Sequence, residues 1–102
     1  MARTVRWTEP ALDDVTAIAA HIGPDSRHYA ATFVSRRYIA AESVTLFPEA
    51  GALIPKHERP DLREIFVGRY RLIYYFTSDE VPVPAVSHSA RKLEQVWHPG
   101  WD

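Results

Sequence analysis

The chain has 102 residues, of which 46% are apolar and 25% are charged, and its formal net charge is −1. This size and composition are typical of one globular domain with a small core, which excludes a wholly disordered protein. Twelve basic residues stand against thirteen acidic ones. The overall charge therefore argues against a protein that grips a nucleic-acid backbone, although it is compatible with a local basic patch.

Cysteine is absent, which excludes disulfides and thiolate metal sites and agrees with a reducing compartment. The histidines show no spacing typical of metal ligands, and the sequence has neither a glycine-rich phosphate loop nor a GxSxG elbow. We therefore expect no metal and no cofactor. The N-terminal stretch MARTVRWTEPAL lacks the apolar segment of a signal peptide, and no run approaches the roughly 20 apolar residues of a membrane span. These features predict a cytoplasmic protein without membrane contact.

The first half of the chain predicts one strand and two helices. Thr4 to Trp7 is a strand candidate, and Thr8 suits the N-cap of a first helix. Asp25 or Ser26 suits the N-cap of a second helix, which Pro48 ends. Spacings of three and four give the first helix an apolar stripe of Leu12, Val15, Ile18, Ala19 and Ile22. The inner stripe of the second helix comprises Ala30, Phe33, Val34, Arg37, Ala41, Val44 and Phe47. The short connection between the two helices predicts an antiparallel hairpin.

The second half of the chain predicts an antiparallel meander. Strands are expected at Leu62 to Val67, at Arg69 to Thr77 and at Val81 to Val86. A hairpin turn is expected at Ser78-Asp79-Glu80, and a short helix from Ala90 to Trp97. Pro82 and Pro84 both lack an N–H on the same side of the last strand, so one flank of it should be unpaired.

Helices that precede a run of strands predict an α+β fold. The expected architecture is an N-terminal strand, an antiparallel helix hairpin packed on a mainly antiparallel sheet, and a short C-terminal helix or tail, all in one domain of residues 1–102. In the strand after Gly68, alternate residues should face the helices, namely Tyr70, Leu72, Tyr74 and Phe76. The reverse face, with Arg69, Arg71, Ile73 and Tyr75, is expected to be uncovered.

The candidate site is a group of side chains expected to meet at one end of the uncovered face. The hairpin turn places Arg71 opposite Val86 or Ser87, and Arg69 opposite His88 or Ser89. The candidate partner-binding residues are Arg63, Arg69, Arg71, His88, Arg91 and Trp97. Such a patch suits an acidic partner, a peptide or a phosphate. The alternative is an exposed sheet face whose arginines pair with Asp61, Glu64 or Glu94, which would contribute only about 0–1 kcal/mol per pair.

Two members of this group have alternatives of their own. His88 can act as a general acid or base, because imidazole titrates near neutral pH, or as a hydrogen-bonding residue at a strand end. Trp97 can stack on a partner side chain or a base, or can pack in the core or the tail. No catalytic residue is assigned from the sequence.

Four segments of the chain, in this order, resemble the ParE branch of the RelE/ParE toxin superfamily. They are VRWTEPALDDVTAIAAHI (5–22), LFPEAG (46–51), DLREIFVGRYRLIYYF (61–76) and AVSHSAR (85–91). The resemblance covers nearly the whole chain and implies the toxin of a bacterial type II toxin–antitoxin pair. It also implies a cognate antitoxin that wraps and neutralises the toxin, and contact with operator DNA only through that antitoxin. The ParE branch is associated with inhibition of DNA gyrase, whereas the RelE branch cleaves mRNA on the ribosome.

The residues at the nuclease positions help to choose between the branches. The resemblance places Arg71 and Arg91 on two arginine positions of RelE-type enzymes. The lysine pair of those enzymes is missing, since the segment reads Arg63-Glu64-Ile65-Phe66, and Trp97 stands where their acid–base tyrosine would be. An indole has no proton to exchange near neutral pH. We therefore expect a gyrase inhibitor that acts by binding, without catalytic activity. The alternatives are a RelE-like ribosome-dependent mRNA endonuclease and a non-toxic antitoxin-binding scaffold.

Overall fold

A computed structural model describes residues 3–24, 26–54 and 58–91 of the protein. In chain order the elements are β1 (Thr4–Trp7), α1 (Glu9–Ile22), α2 (Arg27–Ser43), a 3₁₀ turn (Pro48–Ala50), β2 (Ala52–Leu53), β3 (Arg63–Val67), β4 (Tyr70–Tyr74), β5 (Glu80–Val83) and β6 (Ala85–His88). This order confirms the predicted α+β fold with a mainly antiparallel sheet. The helix expected from Ala90 to Trp97 falls largely outside the described residues. No helix within the described ranges is both long and apolar enough to cross a membrane.

Side-chain hydroxyl groups begin both helices. The Thr8 hydroxyl accepts a hydrogen bond from the Ala11 N–H at 3.2 Å, and the Ser26 hydroxyl accepts one from the Tyr29 N–H at 3.2 Å. Each bond satisfies a donor that the start of a helix leaves unpaired. The Thr8 hydroxyl also donates to the Val83 carbonyl at 2.9 Å, which ties the start of α1 to β5. The predicted N-caps at Thr8 and Ser26 are confirmed.

The buried face of each helix differs from the predicted stripe at one margin. Ala11 is buried whereas Leu12 is 39% exposed, so the inner face of α1 begins one position earlier than expected. Phe47 is 72% exposed, because α2 ends at Ser43 and the helical period does not reach it. Arg37 lies on the inner face of α2 as predicted, and it is buried.

The strands form two sheets, because the predicted last strand is divided at Pro84. One is a four-stranded antiparallel sheet in the order β2, β3, β4, β6, and in the other β5 pairs in parallel with β1. Within the described residues β5 has no second strand partner, although its flank toward β4 accepts backbone hydrogen bonds and is not wholly unpaired as predicted. Pro82 has no N–H to donate toward β4, and its carbonyl accepts from the Tyr75 N–H at 3.1 Å. The predicted hairpin turn is closed by the Thr77 N–H, which donates to the Glu80 carbonyl at 2.9 Å.

The main core lies between the helices and one face of the sheet. Leu72 and Tyr74 are almost fully buried in it, and Tyr70 and Phe76 are partly buried at its margins. The other buried members are Ala11, Val15, Phe33, Ala41, Val44, Val81, Val83 and Val86. The predicted inward orientation of alternate β4 side chains is therefore confirmed.

A second, smaller core covers the reverse face of the sheet. Ile54, Leu62, Ile73 and Ala85 are buried there, with Tyr75 packed against them. The expectation that this face is uncovered was wrong. Ile54 and Leu62, which lie between β2 and β3, pack with Ile73 on this face, and the contact removes their apolar surface from water.

The Tyr74 hydroxyl joins the sheet to the 3₁₀ turn that follows α2. It accepts a hydrogen bond from the Gly51 N–H at 2.9 Å and donates one to the Pro48 carbonyl. A Cβ atom on Gly51 would collide with the Tyr74 ring, so this close approach requires glycine. Burial raises the pKa of the Tyr74 hydroxyl, which keeps the group neutral and able to donate.

Replacement of Tyr74 should separate the contributions of its ring and its hydroxyl to stability. We expect Tyr74→Ala to lower the free energy of unfolding by roughly 3–5 kcal/mol, because a buried ring is lost. Tyr74→Phe should cost about 1–3 kcal/mol, because it leaves the Gly51 N–H and the Pro48 carbonyl unpaired. Urea denaturation followed by circular dichroism measures both values, with the exposed Tyr29→Phe as a control expected to be neutral. Equal losses for the two Tyr74 variants would contradict this division.

Candidate partner-binding site

The register of the β4–β6 ladder decides which of the predicted site residues share a face. Arg71 lies directly opposite Ser87, and Tyr70 lies directly opposite His88. Directly opposed residues point to the same face of a sheet, and neighbours along a strand point to opposite faces. His88 therefore shares the helix-covered face with Tyr70, and Arg71 lies on the other face. The predicted convergence of Arg71 with His88 was wrong.

Arg71 is a buried member of an ion pair and not an exposed cation. The residue is 8% exposed, and its Nη1 donates to Glu64 Oε2 at 3.0 Å. Nη2 donates to the backbone carbonyl of Arg91, while Nε is buried without a partner among the described residues. The residue directly opposite Arg71 on β3 is Phe66, so Glu64 lies diagonally across from Arg71. The alternative in which an arginine pairs with Glu64 is thus the correct one for Arg71, although the pair is buried and not on the surface.

Arg63 also has a structural role. Its Nε donates to the Pro60 carbonyl at 2.9 Å, and its Nη1 donates to the carbonyls of Glu49 and Gly51, each at 3.2 Å. These bonds hold the segment before β2 and the end of the β2–β3 connection against the start of β3. The structure therefore does not bring Arg63 together with the other predicted site residues.

The remaining residues of the predicted group lie near the start of β4 and the end of β6. Arg69 is exposed in the β3–β4 turn, and its carbonyl accepts from the Ser89 N–H at 2.9 Å. His88 is exposed, and its ring contacts the Tyr70 ring edge-on with 5.6 Å between centroids. The backbone N–H of Arg91 donates to the His88 carbonyl at 3.1 Å. Trp97, the last predicted member, lies outside the described residues.

His88 and Arg91 line a cleft of about 260 Å³ against α1, which we name the histidine cleft. Its other lining residues are Asp14, Ala17, Ile18, Tyr70, Val86 and Ser87. His88 Nδ1 accepts from the Ala90 N–H at 3.1 Å, so a neutral His88 carries its proton on Nε2. This arrangement leaves one imidazole N–H available to a partner or a substrate.

Asp14 is a member of this cleft that the sequence analysis did not single out. Its carboxylate accepts a hydrogen bond from the Val86 N–H at 3.0 Å, which joins α1 to β6. Burial raises the pKa of the Asp14 carboxyl, while the Val86 bond and the charge of Arg91 oppose that shift. One sequence feature could have indicated this role: Asp14 follows Ala11 by three residues and so lies near the inner face of α1. A carboxylate in the first turns of a helix is, however, ordinarily explained by its interaction with the helix dipole.

The opposite side of the molecule presents an open strand edge beside exposed apolar side chains. β2 pairs only with Arg63 and Glu64, so within the described ranges the β3 edge from Ile65 to Val67 has no strand partner. A pocket of about 330 Å³ adjoins this edge and is lined in part by Val44, Ile65 and Phe66. Two large exposed apolar side chains lie at this edge, Leu53 on β2 and Phe66 on β3. We name this surface the edge surface.

No group of three or more histidine, aspartate or glutamate side chains suited to a metal ion occurs in residues 3–24, 26–54 and 58–91.

Comparison with known sequences places the chain in a family. Residues 5–93 match the family model described as the ParE toxin of the type II toxin–antitoxin system parDE. The protein therefore belongs to the ParE family of type II toxins, within the RelE/ParE superfamily. It is 37% identical over 92 residues to toxin RelE2 of Caulobacter vibrioides, in an alignment that covers 89% of this chain and 99% of that protein.

Comparison with solved structures agrees with this fold. A chain of the chromosomal ParDE toxin–antitoxin system from P. aeruginosa superposes with a TM-score of 0.70 at 18% identity, covering 85% of this chain and 96% of that chain. A chain of the toxin–antitoxin complex RelBE2 from Mycobacterium tuberculosis superposes with a TM-score of 0.58 at 20% identity, covering 86% and 99% of the two chains. At these identities the similarity establishes the fold.

The buried ion pair changes the expectation for Arg71 variants. Arg71→Ala should lower the free energy of unfolding by roughly 3–5 kcal/mol, because it leaves the Glu64 carboxylate buried without its partner. The double variant Arg71→Met/Glu64→Met should recover most of that loss, because no unpaired charge remains. Thermal and urea denaturation of the two variants check this prediction. An Arg71→Ala variant as stable as the native protein would show that the pair is exposed in solution.

Proposed function

We propose that the protein inhibits DNA gyrase by binding to it and has no nuclease activity of its own. The observation that carries this proposal is the Arg71–Glu64 pair. Of the two arginines that match nuclease positions, Arg71 is neutralised by Glu64 and is bonded to the Arg91 carbonyl. A guanidinium held in this way is unavailable to a substrate phosphate. The match to the ParE family model supports the same choice.

The histidine cleft is the proposed contact with the target. His88 and Arg91 are exposed on one rim of it, next to Tyr70. Arginine and tyrosine are the residues most often found at energetically dominant positions of protein interfaces. The cleft has too few cationic groups to hold a nucleic-acid backbone by charge, and the formal net charge of the chain is −1.

We further propose that a cognate antitoxin neutralises the toxin by docking on the edge surface. The two solved relatives come from toxin–antitoxin complexes or systems. An open strand edge provides backbone donors and acceptors to an added strand, and an adjacent apolar pocket provides side-chain specificity. Operator DNA would then be contacted through the antitoxin, since this chain lacks excess positive charge.

A ribosome-dependent mRNA endonuclease is the second candidate. The name of the relative, toxin RelE2, and the presence of His88 beside Arg91 in one cleft favour it. In this case His88 would transfer the proton and Arg91 would contact the phosphate.

A scaffold that binds antitoxin without toxicity is the third candidate, and it predicts normal growth when the protein is produced alone.

A supercoiling assay with purified gyrase tests the proposed target. The native protein should inhibit supercoiling, and His88→Ala and Arg91→Ala should each weaken inhibition by at least about tenfold, the effect of losing one important interface side chain. Arg6 lies on β1 and lines neither the histidine cleft nor the pocket beside the β3 edge. Arg6→Gln is therefore the matched control and should inhibit as the native protein does. Unaffected gyrase together with mRNA cleavage on the ribosome would overturn the proposal in favour of the endonuclease.

Co-purification tests the proposed antitoxin surface. The antitoxin is taken from the open reading frame beside the toxin gene, and complex formation is measured by gel filtration and titration. Phe66→Arg should weaken the complex by at least about tenfold, because it places a charge at the apolar edge. Leu12→Arg changes a comparably exposed apolar residue on α1 and should leave binding unchanged. Equal affinity for both variants would show that the antitoxin docks elsewhere.

A further inference from the structure

A second cleft lies on the other side of Tyr70, between α2 and the β3–β4 turn, and has a volume of about 210 Å³. Its lining includes three arginines and three aromatic residues, namely Tyr29, Phe33, Arg36, Arg37, Arg69 and Tyr70. No acidic side chain is among its described lining residues. We name it the arginine cleft. In a chain of formal net charge −1, three guanidinium groups around one small cleft form a marked local concentration of positive charge.

Arg37 forms a rigid, charged wall of this cleft. It is 4% exposed, and its guanidinium lies 3.7 Å from the centroid of Phe33 and 5.3 Å from that of Tyr70. Nη2 donates to the Val67 carbonyl at 2.7 Å, and Nη1 donates to the Phe33 carbonyl at 3.1 Å. Its partners are neutral carbonyls, so they leave its charge uncompensated. Burial lowers the pKa of Arg37 to about 10, and the nearby charge of Arg36 acts in the same direction, yet the group stays cationic at neutral pH.

Arg36 and Arg69 supply the groups that a ligand can reach. Both are exposed, and within the described part of the chain neither side chain makes a hydrogen bond or an ion pair. Gly68 adopts a left-handed φ of 61°, which the two-residue turn between β3 and β4 requires, and this turn presents Arg69 to the cleft. Two such donors on one cleft suit bidentate recognition of a planar anion.

The aromatic walls favour a protein ligand over a nucleic acid. Phe33 and Tyr70 contact edge-to-face with 5.0 Å between centroids, and Tyr29 stands 68% exposed among the lining residues. A cleft of about 210 Å³ accommodates one side chain. A phosphate backbone would require a longer row of cations, which the two exposed arginines do not supply.

We propose that the arginine cleft binds the carboxylate of a glutamate or aspartate in an extended segment of a partner protein, whose neighbouring apolar side chain packs on Tyr29. Arg36 and Arg69 contact the carboxylate, and Arg37 contributes fixed positive charge from behind Phe33 and Tyr70. This inference goes beyond the proposed function, because it holds whichever macromolecule the toxin inhibits.

The test uses a capped pentapeptide with the sequence Ser-Leu-Glu-Trp-Ser and the same peptide with glutamine in place of glutamate. Binding to the native protein is followed by NMR, including the side-chain Nε–H signal of Arg69. We expect the glutamate peptide to bind with a Kd on the order of 1 mM and to shift that signal, and the glutamine peptide to bind at least about tenfold more weakly. Binding of both peptides with equal affinity, or of neither, would overturn the proposal.

Charge-removing variants and a second anion locate the site and define its ligand. Arg36→Gln and Arg69→Gln should each weaken binding of the glutamate peptide by at least about fivefold, whereas Arg6→Gln should leave it unchanged. All three variants should keep the native circular dichroism spectrum. Inorganic phosphate is titrated in parallel. Phosphate that binds more tightly than the glutamate peptide would overturn the assignment of a carboxylate ligand and identify a phosphate site instead.

Discussion

The buried ion pair between Arg71 and Glu64 determines how both faces of this sheet are used. It joins two adjacent strands on the reverse face, and through the Arg91 carbonyl it also holds the chain just after β6. A pair removed from water in this way is costly to break, because either partner alone would be a buried charge. It therefore leaves Arg71 in a structural role, and the candidate surface that remains consists of the residues around Tyr70.

Tyr70 organises that surface, because its ring contacts side chains from two other elements. Its edge-to-face contacts join Phe33 of α2 on one side and His88 of β6 on the other. The histidine cleft and the arginine cleft are lined by the same Tyr70 ring. Two small sites with different chemistry, one with an imidazole and one with exposed guanidinium groups, thus share a rigid wall that belongs to the edge of the core.

The match to the ParE family model establishes what kind of protein this is, the solved structures show the same fold, and the site residues carry the argument about mechanism. A RelE-type relative at 37% identity and a ParE family match over residues 5–93 are compatible, because both branches share one fold. The distinction between a binding inhibitor and a nuclease depends on a few side chains. In this chain one of those side chains is held in an ion pair.

Much of the fold followed from local patterns that act over a few residues. The helix caps at Thr8 and Ser26, the alternation of β4 and the proline at position 82 in β5 each depend on residues close together in the chain, so the sequence alone predicts them. The inward position of Arg37 was predicted in the same way from helical spacing. The partners of that arginine, the Val67 carbonyl and the two aromatic rings, were not predicted, because they come from β3, β4 and the preceding turn of α2.

The candidate site was predicted less well, because it depends on the register between strands and on which segments cover each face of the sheet. The sequence left open two strand registers one residue apart, and the observed one, with Arg71 opposite Ser87, puts His88 and Arg71 on opposite faces of the sheet. Asp14 entered the site through the packing of α1 on β6. The sequence by itself determined the α+β class, the helix caps, the inward face of β4 and the family. Only the tertiary structure decided that Ile54 and Leu62 cover the reverse face and that Glu64 takes Arg71 out of reach of a partner, because both effects join residues that are distant in the chain.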